Sequence, residues 1–162
     1  MPYLVRHAHA GNKHGWAGPD RLRPLSGAGR GEAHGLLTQL GDYRIARILS
    51  SPALRCLETV EPLARRRGLT VERSDLLGVD ADPAALVALL VDPAAAKAVL
   101  CSHGELIGTA LRRLAADDTD ADSLVWPKGS TWVLEVDGGQ VTHRRYLPPL
   151  RLHDTDADDG PA

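Results

Sequence analysis

Cysteine is scarce: Cys56 and Cys101 are the two in 162 residues. Two cysteines cannot build a disulfide-rich scaffold, and they are too few for a four-cysteine zinc site, so a reduced compartment is the simpler setting. Neither sign of charge dominates. Lys and Arg number 19 against 21 Asp and Glu, for a formal net charge of -2. That balance does not suggest the broad basic surface that sequence-independent binding of a nucleic-acid polymer needs, although local basic clusters stay open. No apolar run is long enough for a membrane span. The opening Met1-Pro2-Tyr3-Leu4-Val5 is charged by Arg6, so no secretory apolar segment is expected there, and the expected location is the cytoplasm. Phenylalanine is absent altogether. With Ala, Gly and Arg plentiful, that is a compositional bias with no function attached to it.

What is present is ordinary globular composition, 43% hydrophobic and 25% charged. The length suits one domain, able to bury roughly 70% of the surface its unfolded chain exposes. We expect that domain over residues 1–150 and an acidic, mobile tail over residues 151–162.

Tyr3 to Val5 reads as a buried strand that stops at Arg6-His7. Residues 8–25 form a long loop rich in Gly, Pro and charge, a length that points to function or disorder. Ser26 is placed as an N-cap, with Ala33, Leu36, Leu37 and Leu40 at helical spacing and Gly41 closing the helix. Ile45 to Leu49 is a second strand, followed by a helix with Leu54, Leu57, Val60 and Ala64 on one face. Pro62 is expected to kink or divide that helix. A short strand is expected over residues 69–71, and Asp82-Pro83 starts another helix. Val99 to Cys101 is the next buried strand, then Leu106, Ile107, Ala110, Leu111 and Leu114 mark an amphipathic helix. Residues 131–136 and 140–146 form a hairpin about Asp137-Gly138-Gly139. Strands alternating with helices predict an α/β fold: three layers, a mostly parallel central sheet with helices on both faces, and a C-terminal hairpin.

In such sheets ligands bind beyond the carboxyl ends of the strands. That rule selects Arg6-His7, the turn from Ser51 to Arg55, and Ser102-His103. Arginine presents a planar fork of donors suited to phosphate oxygens. The helix starts after Pro52 and at Gly104 add backbone N–H groups and positive dipole ends. A histidine beside two guanidiniums is favoured in its neutral form, and neutral imidazole is a nucleophile. Arg6, His7, Arg55 and His103 thus form a candidate phosphate pocket.

Leu4-Val5-Arg6-His7-Ala8, Leu25-Ser26 to Gly29, Ser50 to Thr59 and Cys101-Ser102-His103-Gly104 together resemble the histidine phosphatase superfamily, with its phosphoglycerate mutase-like fold. The resemblance covers about residues 3–146. It implies that His7 is the phosphorylated nucleophile, that Arg6, Arg55 and His103 complete the phosphate pocket, and that no metal or other cofactor is needed. Arg23-Pro24-Leu25-Ser26 and the short chain resemble the small phosphohistidine-phosphatase-like branch. Lys128 to Leu134 is closer still to the phosphatase domain fused to some Nudix hydrolases, although the Nudix Arg-Glu-x-x-Glu-Glu signature itself does not occur in the chain. Lys13, Arg23, Gly104, Lys128 and Ser130 are the further candidates for phosphate or substrate contact. Lys128 is expected at a distal part of the substrate, such as a second phosphate.

The general acid is less defined. Many relatives place a Glu shortly after the third strand, where this chain reads Leu76-Leu77-Gly78-Val79-Asp80-Ala81-Asp82. Asp80 is the candidate, with a solvated loop residue as its alternative; Asp82 is better explained as an N-cap. Without a strong acid, phosphohistidine or phosphoanhydride substrates are favoured over alkyl esters, because their leaving groups need less proton donation. His7-Ala8-His9 also has the His-x-His spacing of some metal hydrolases, an alternative reading, and a catalytically weak phospho-ligand binding module is another. Neither Cys56 nor Cys101 has an Arg six residues on, so both read as small buried hydrophobes. Gly27 to Gly31 does not directly follow a strand, which weakens a nucleotide-loop reading. The substrate stays open among a phosphoprotein, a nucleotide and a small phosphate compound. No membrane or nucleic-acid polymer is expected as a partner, and the oligomeric state is open.

Overall fold

The computed structural model describes residues 1–152. The expected acidic tail therefore lies almost wholly outside the described residues. The elements run β1 (Tyr3–Arg6), α1 (Gly27–Gln39), β2 (Arg47–Ser50), α2 (Leu54–Arg67), β3 (Val71–Arg73), α3 (Pro83–Val91), β4 (Ala98–Ser102), α4 (Gly104–Leu114), β5 (Thr131–Asp137) and β6 (Gln140–Leu147). One six-stranded sheet has the order β3-β2-β4-β1-β5-β6. β3, β2, β4 and β1 are parallel neighbours, whereas β5 runs antiparallel to both β1 and β6. The fold is the three-layer α/β architecture with a C-terminal hairpin.

The central strands are apolar throughout because both faces of the sheet are covered. Alternation sorts their side chains. Leu4, Leu49, Leu100 and Trp132 point to one face and pack with Leu86 and Leu90 of α3 and Ile107 and Leu111 of α4. Tyr3, Val5, Ile48, Val99 and Val133 point to the other and meet α1 and α2. The Gly138-Gly139 turn has φ of +56° and +76°, a backbone that glycine adopts without strain, and it suits the tight link between β5 and β6.

Several details depart from the expectations, among them one in α2 and one in β3. α2 is not divided at Pro62; it runs unbroken from Leu54 to Arg67. Pro62 removes one hydrogen-bond donor, but the helix is anchored on both sides of it by Val60, Leu63 and Ala64 in the core. β3 begins at Val71, so the expected strand over residues 69–71 lies slightly early. Its pairing with β2, Ile48 against Val71 and Ser50 against Arg73, sets the true limits.

The register of the parallel strands builds the site. Arg6 lies opposite Ser102, and Ser50 opposite Cys101. The pairing continues one residue past each strand: the His7 N–H donates to Ser102 O and the Ser51 N–H to Cys101 O, each at 3.0 Å. His7, Ser51 and His103 therefore leave the sheet side by side at its carboxyl edge.

Candidate active site

His7, Arg55 and His103 are all buried, at 6%, 4% and 4% exposure. With Arg6, Lys13 and Gly104 they line one cavity of about 590 Å³. The imidazoles of His7 and His103 meet edge to face with centroids 5.4 Å apart. Nδ1 of His7 lies 2.8 Å from the carbonyl of Ala8. A carbonyl only accepts, so Nδ1 carries the proton and Nε2 is left with its lone pair. Burial is the main reason that the His7 pKa falls from 6.5 to about 3. The Ala8 hydrogen bond opposes the fall, and His103, Arg55 and Arg6 add to it. The arginines push in the expected direction, and desolvation is the larger effect.

Arg6 is fixed by Nη1 donating to the Trp126 carbonyl at 2.9 Å. Its guanidinium lies against the first residue of α4. A Cβ on Gly104 would fall 2.6 Å from Cζ of Arg6, so only glycine admits the side chain here. Arg55 donates Nη1 to the Asp20 carbonyl at 2.9 Å, and its Nη2 lies 3.1 Å from Asp20 Oδ2. Nε of Arg6 and Nε of Arg55 are both buried without an acceptor. Unpaired buried donors are costly, and oxygens of a bound oxyanion satisfy such donors. α2 and α4 begin at Ala53 and His103 with no side-chain cap. Their first N–H groups lie beside the same pocket, adding to its preference for an anion.

The other candidates fall in different surroundings. Lys13 is exposed on the cavity wall, in a single 3-10 turn. Arg23 is buried and holds the loop over residues 10–20, with Nη1 on Ala10 O at 2.6 Å and Nε on Asp20 Oδ1 at 3.0 Å. Ser130 is buried and its hydroxyl donates to Pro127 O at 2.6 Å, closing the turn before β5; its carbonyl accepts the Arg6 N–H at 3.0 Å. Lys128 is half-buried, and its pKa is lowered, first by burial and then by Arg6 and Arg23, with Glu32 opposing. Asp80 is exposed and lines an adjoining cavity of about 460 Å³ that shares Arg55 and His103. His9 does not join His7: its Nδ1 is 2.6 Å from the hydroxyl of Ser26, the N-cap of α1.

The surroundings of four residues were not foreseen. Asp20 pairs with both Arg55 and Arg23. Burial raises its pKa, but the Arg23 hydrogen bond and the charges of Arg55, Arg23 and Lys13 outweigh that and lower it. Ser51 bonds His103, Thr59 accepts the Ala8 N–H at 2.9 Å, and Glu105 shares the cavity of His7. These residues come from loops and helix faces without a period of their own.

Two buried imidazoles beside the guanidiniums of Arg6 and Arg55 make a cationic pocket suited to an oxyanion. The histidine phosphatase superfamily (branch 1) matches residues 2–78. An 8-oxo-(d)GTP phosphatase of Mycolicibacterium smegmatis is 31% identical over 156 residues, covering 90% of this chain and 47% of the relative. The chain thus spans about half the length of that curated relative. A SixA chain from Agrobacterium tumefaciens is 28% identical, with TM-score 0.69 over 91% of this chain and 96% of its own. The tungstate complex of the protein histidine phosphatase SixA, at 23% identity, shares the fold with TM-score 0.70 over 92% of this chain and 95% of that one. Residues 2–78 of the chain carry the histidine phosphatase superfamily pattern, and its fold is that of the two SixA structures. Among the described residues, no helix is long and apolar enough to cross a membrane.

Proposed function

We propose that the protein is a phosphohydrolase in which His7 is the transient phosphoryl carrier and nucleoside polyphosphates are the substrate class. The observation that carries the first part is the Nδ1 bond of His7 to Ala8 O, which leaves Nε2 as the free lone pair in the cavity. Nε2 attacks phosphorus, an N–P bond forms, and the P–O bond to the leaving group breaks. Water then attacks phosphorus from the face the leaving group vacated. The N–P bond breaks, orthophosphate departs, and the proton of the water passes to phosphate or solvent.

Arg6 and Arg55, with His103 beside them, surround the equatorial oxygens, and the two guanidiniums oppose the charge that develops on them. The two guanidiniums supply the positive charge that a metal ion brings to other phosphatases. Gly104 gives Arg6 its room and contributes to the N-terminus of α4. Asp80, beside Arg55 and His103, is the candidate proton donor to the leaving group. A phosphoanhydride asks least of it.

Lys13 and Lys128 support the polyphosphate reading. Lys13 lines the transferring pocket, and Lys128 is destabilised as a cation first by burial and then by Arg6 and Arg23. The 8-oxo-(d)GTP phosphatase relative supports the same substrate class. The test is a substrate panel assayed in chelator: oxidised and ordinary guanine nucleotides, a phosphohistidine protein, and p-nitrophenyl phosphate. Nucleotides are expected to give the highest kcat/KM; preference for the phosphoprotein would overturn the substrate assignment.

A further inference from the structure

Glu32 is a buried carboxylate in the middle of α1, with both oxygens engaged. Oε2 accepts the N–H of His9 at 2.8 Å, and Oε1 accepts Nη2 of Arg151 at 2.9 Å. The His9 N–H and the Ala8 carbonyl belong to the same peptide unit. That carbonyl is the acceptor of His7 Nδ1, also at 2.8 Å. A carboxylate, one peptide plane and an imidazole are therefore joined in line.

The surroundings hold this line in place. The Ala8 N–H is taken by Thr59, and the His9 carbonyl by the Ser26 N–H at 3.0 Å, so the neighbouring peptide units cannot rotate freely. Gly129, at φ +77°, closes over Glu32; a Cβ there would fall 3.0 Å from Oε2. Its N–H donates to the carbonyls of Arg6 and His7, 3.2 Å each. On the opposite side the chain after β6 crosses α1 at two glycines. A Cβ on Gly35 would fall 1.6 Å from Leu150 O, and one on Gly31 2.6 Å from Leu152 O. The Leu152 N–H donates to Gly31 O at 3.1 Å. This close crossing is what brings Arg151 to Glu32.

We propose that Glu32 is a positioning residue for His7, acting through the Ala8–His9 peptide, and that Arg151 clamps it from the C-terminal segment. A negative charge on the N–H side of a peptide strengthens its carbonyl as an acceptor, because hydrogen bonds in series polarise one another. The stronger acceptor keeps the proton on Nδ1 and Nε2 free. The acid of a catalytic triad performs the same service by touching the imidazole directly. Here one peptide bond stands between them.

The inference rests on His7 being the nucleophile, and the test separates the two. Full-length Glu32→Gln, Arg151→Ala and Arg151→Lys are compared with wild type in single-turnover phosphorylation and in ¹⁵N spectra of the histidine-labelled imidazoles. Glu32→Gln should slow phosphorylation of His7 about tenfold or more, short of the ~10⁴-fold loss on altering a triad acid. KM should change little, and the Nε2–H tautomer of His7 should appear. Arg151→Ala should move both readouts the same way by less, and Arg151→Lys should restore them. A folded Glu32→Gln with wild-type rate and tautomer overturns the proposal, and so does a slower rate with an unchanged tautomer. If Glu32→Gln does not fold, wild-type rate and tautomer in Arg151→Ala overturn it. A wild-type protein that never labels His7 refutes the nucleophile reading instead; normal labelling that ignores Glu32 refutes only this inference.

Discussion

The Ser51 hydroxyl lies 2.8 Å from Nε2 of His103, while Nη2 of Arg55 lies 3.3 Å from its Nδ1. A guanidinium only donates, so Nδ1 is the acceptor and Nε2–H points to Ser51. The serine thereby fixes which edge of His103 meets the arginine. Ser51→Ala leaves this buried N–H with only the weak acceptor Cys56 Sγ at 3.7 Å, a cost of about 1–3 kcal/mol. We expect kcat/KM to fall about tenfold, with a small drop in Tm. Unchanged kcat/KM in a folded variant would remove Ser51 from the site.

His7 stays neutral far below the ordinary histidine range, to about pH 3, chiefly because it is buried. Between about 6.5 and 3 the unfolded chain holds a proton on His7 that the folded chain does not. Stability therefore rises with pH across that window and is lost as pH falls through it. The acid limb of kcat/KM should show no step near 6.5 belonging to His7. An NMR titration with His7 at or above 6.5 would contradict this.

Gly104→Ala sets a Cβ 2.6 Å from Cζ of Arg6. The Arg6 guanidinium must move to make room, which disturbs its bond to the Trp126 carbonyl. Affinity for orthovanadate or tungstate should weaken at least about tenfold, the equivalent of one charge-assisted hydrogen bond. Calorimetric titration checks it; wild-type affinity would mean that Arg6 does not bind the oxyanion.

Lys128→Ala should lower kcat/KM more for nucleoside polyphosphates than for p-nitrophenyl phosphate, because binding energy at a distal phosphate reaches only the longer substrate. Equal losses would place Lys128 on the transferred phosphoryl group. No loss on either would make it a turn residue.

The sheet and its functional edge were legible because they rest on local signals. Tyr3-Leu4-Val5 and Val99-Leu100-Cys101 are uninterrupted apolar runs, the first followed by Arg6-His7 and the second by Ser102-His103. Topology then brings those ends together. The contacts of Asp20 with Arg55, Ser51 with His103 and Glu32 with Arg151 were not legible, because these partners are distant in the chain. Arg55 lies 35 residues from Asp20, His103 lies 52 from Ser51, and Arg151 lies 119 from Glu32. No spacing rule covers such pairs. Gly27 to Gly31 carried a glycine signal whose meaning depended on what approaches it. Gly29 gives room to the His9 carbonyl, where a Cβ would fall at 1.9 Å, and Gly31 to Leu152. His9 had the spacing of a metal ligand, but its ring bonds Ser26 at the head of α1.

The central claim is that phosphate passes through His7. Rapid acid-free quench of the enzyme with γ-³²P-labelled nucleotide, followed by alkaline peptide mapping, tests it directly. The account predicts alkali-stable, acid-labile label on the peptide containing His7, formed before orthophosphate is released, and neither label nor turnover in a folded His7→Ala. Turnover at the wild-type rate in His7→Ala, or burst release of phosphate with no labelled His7, would contradict it.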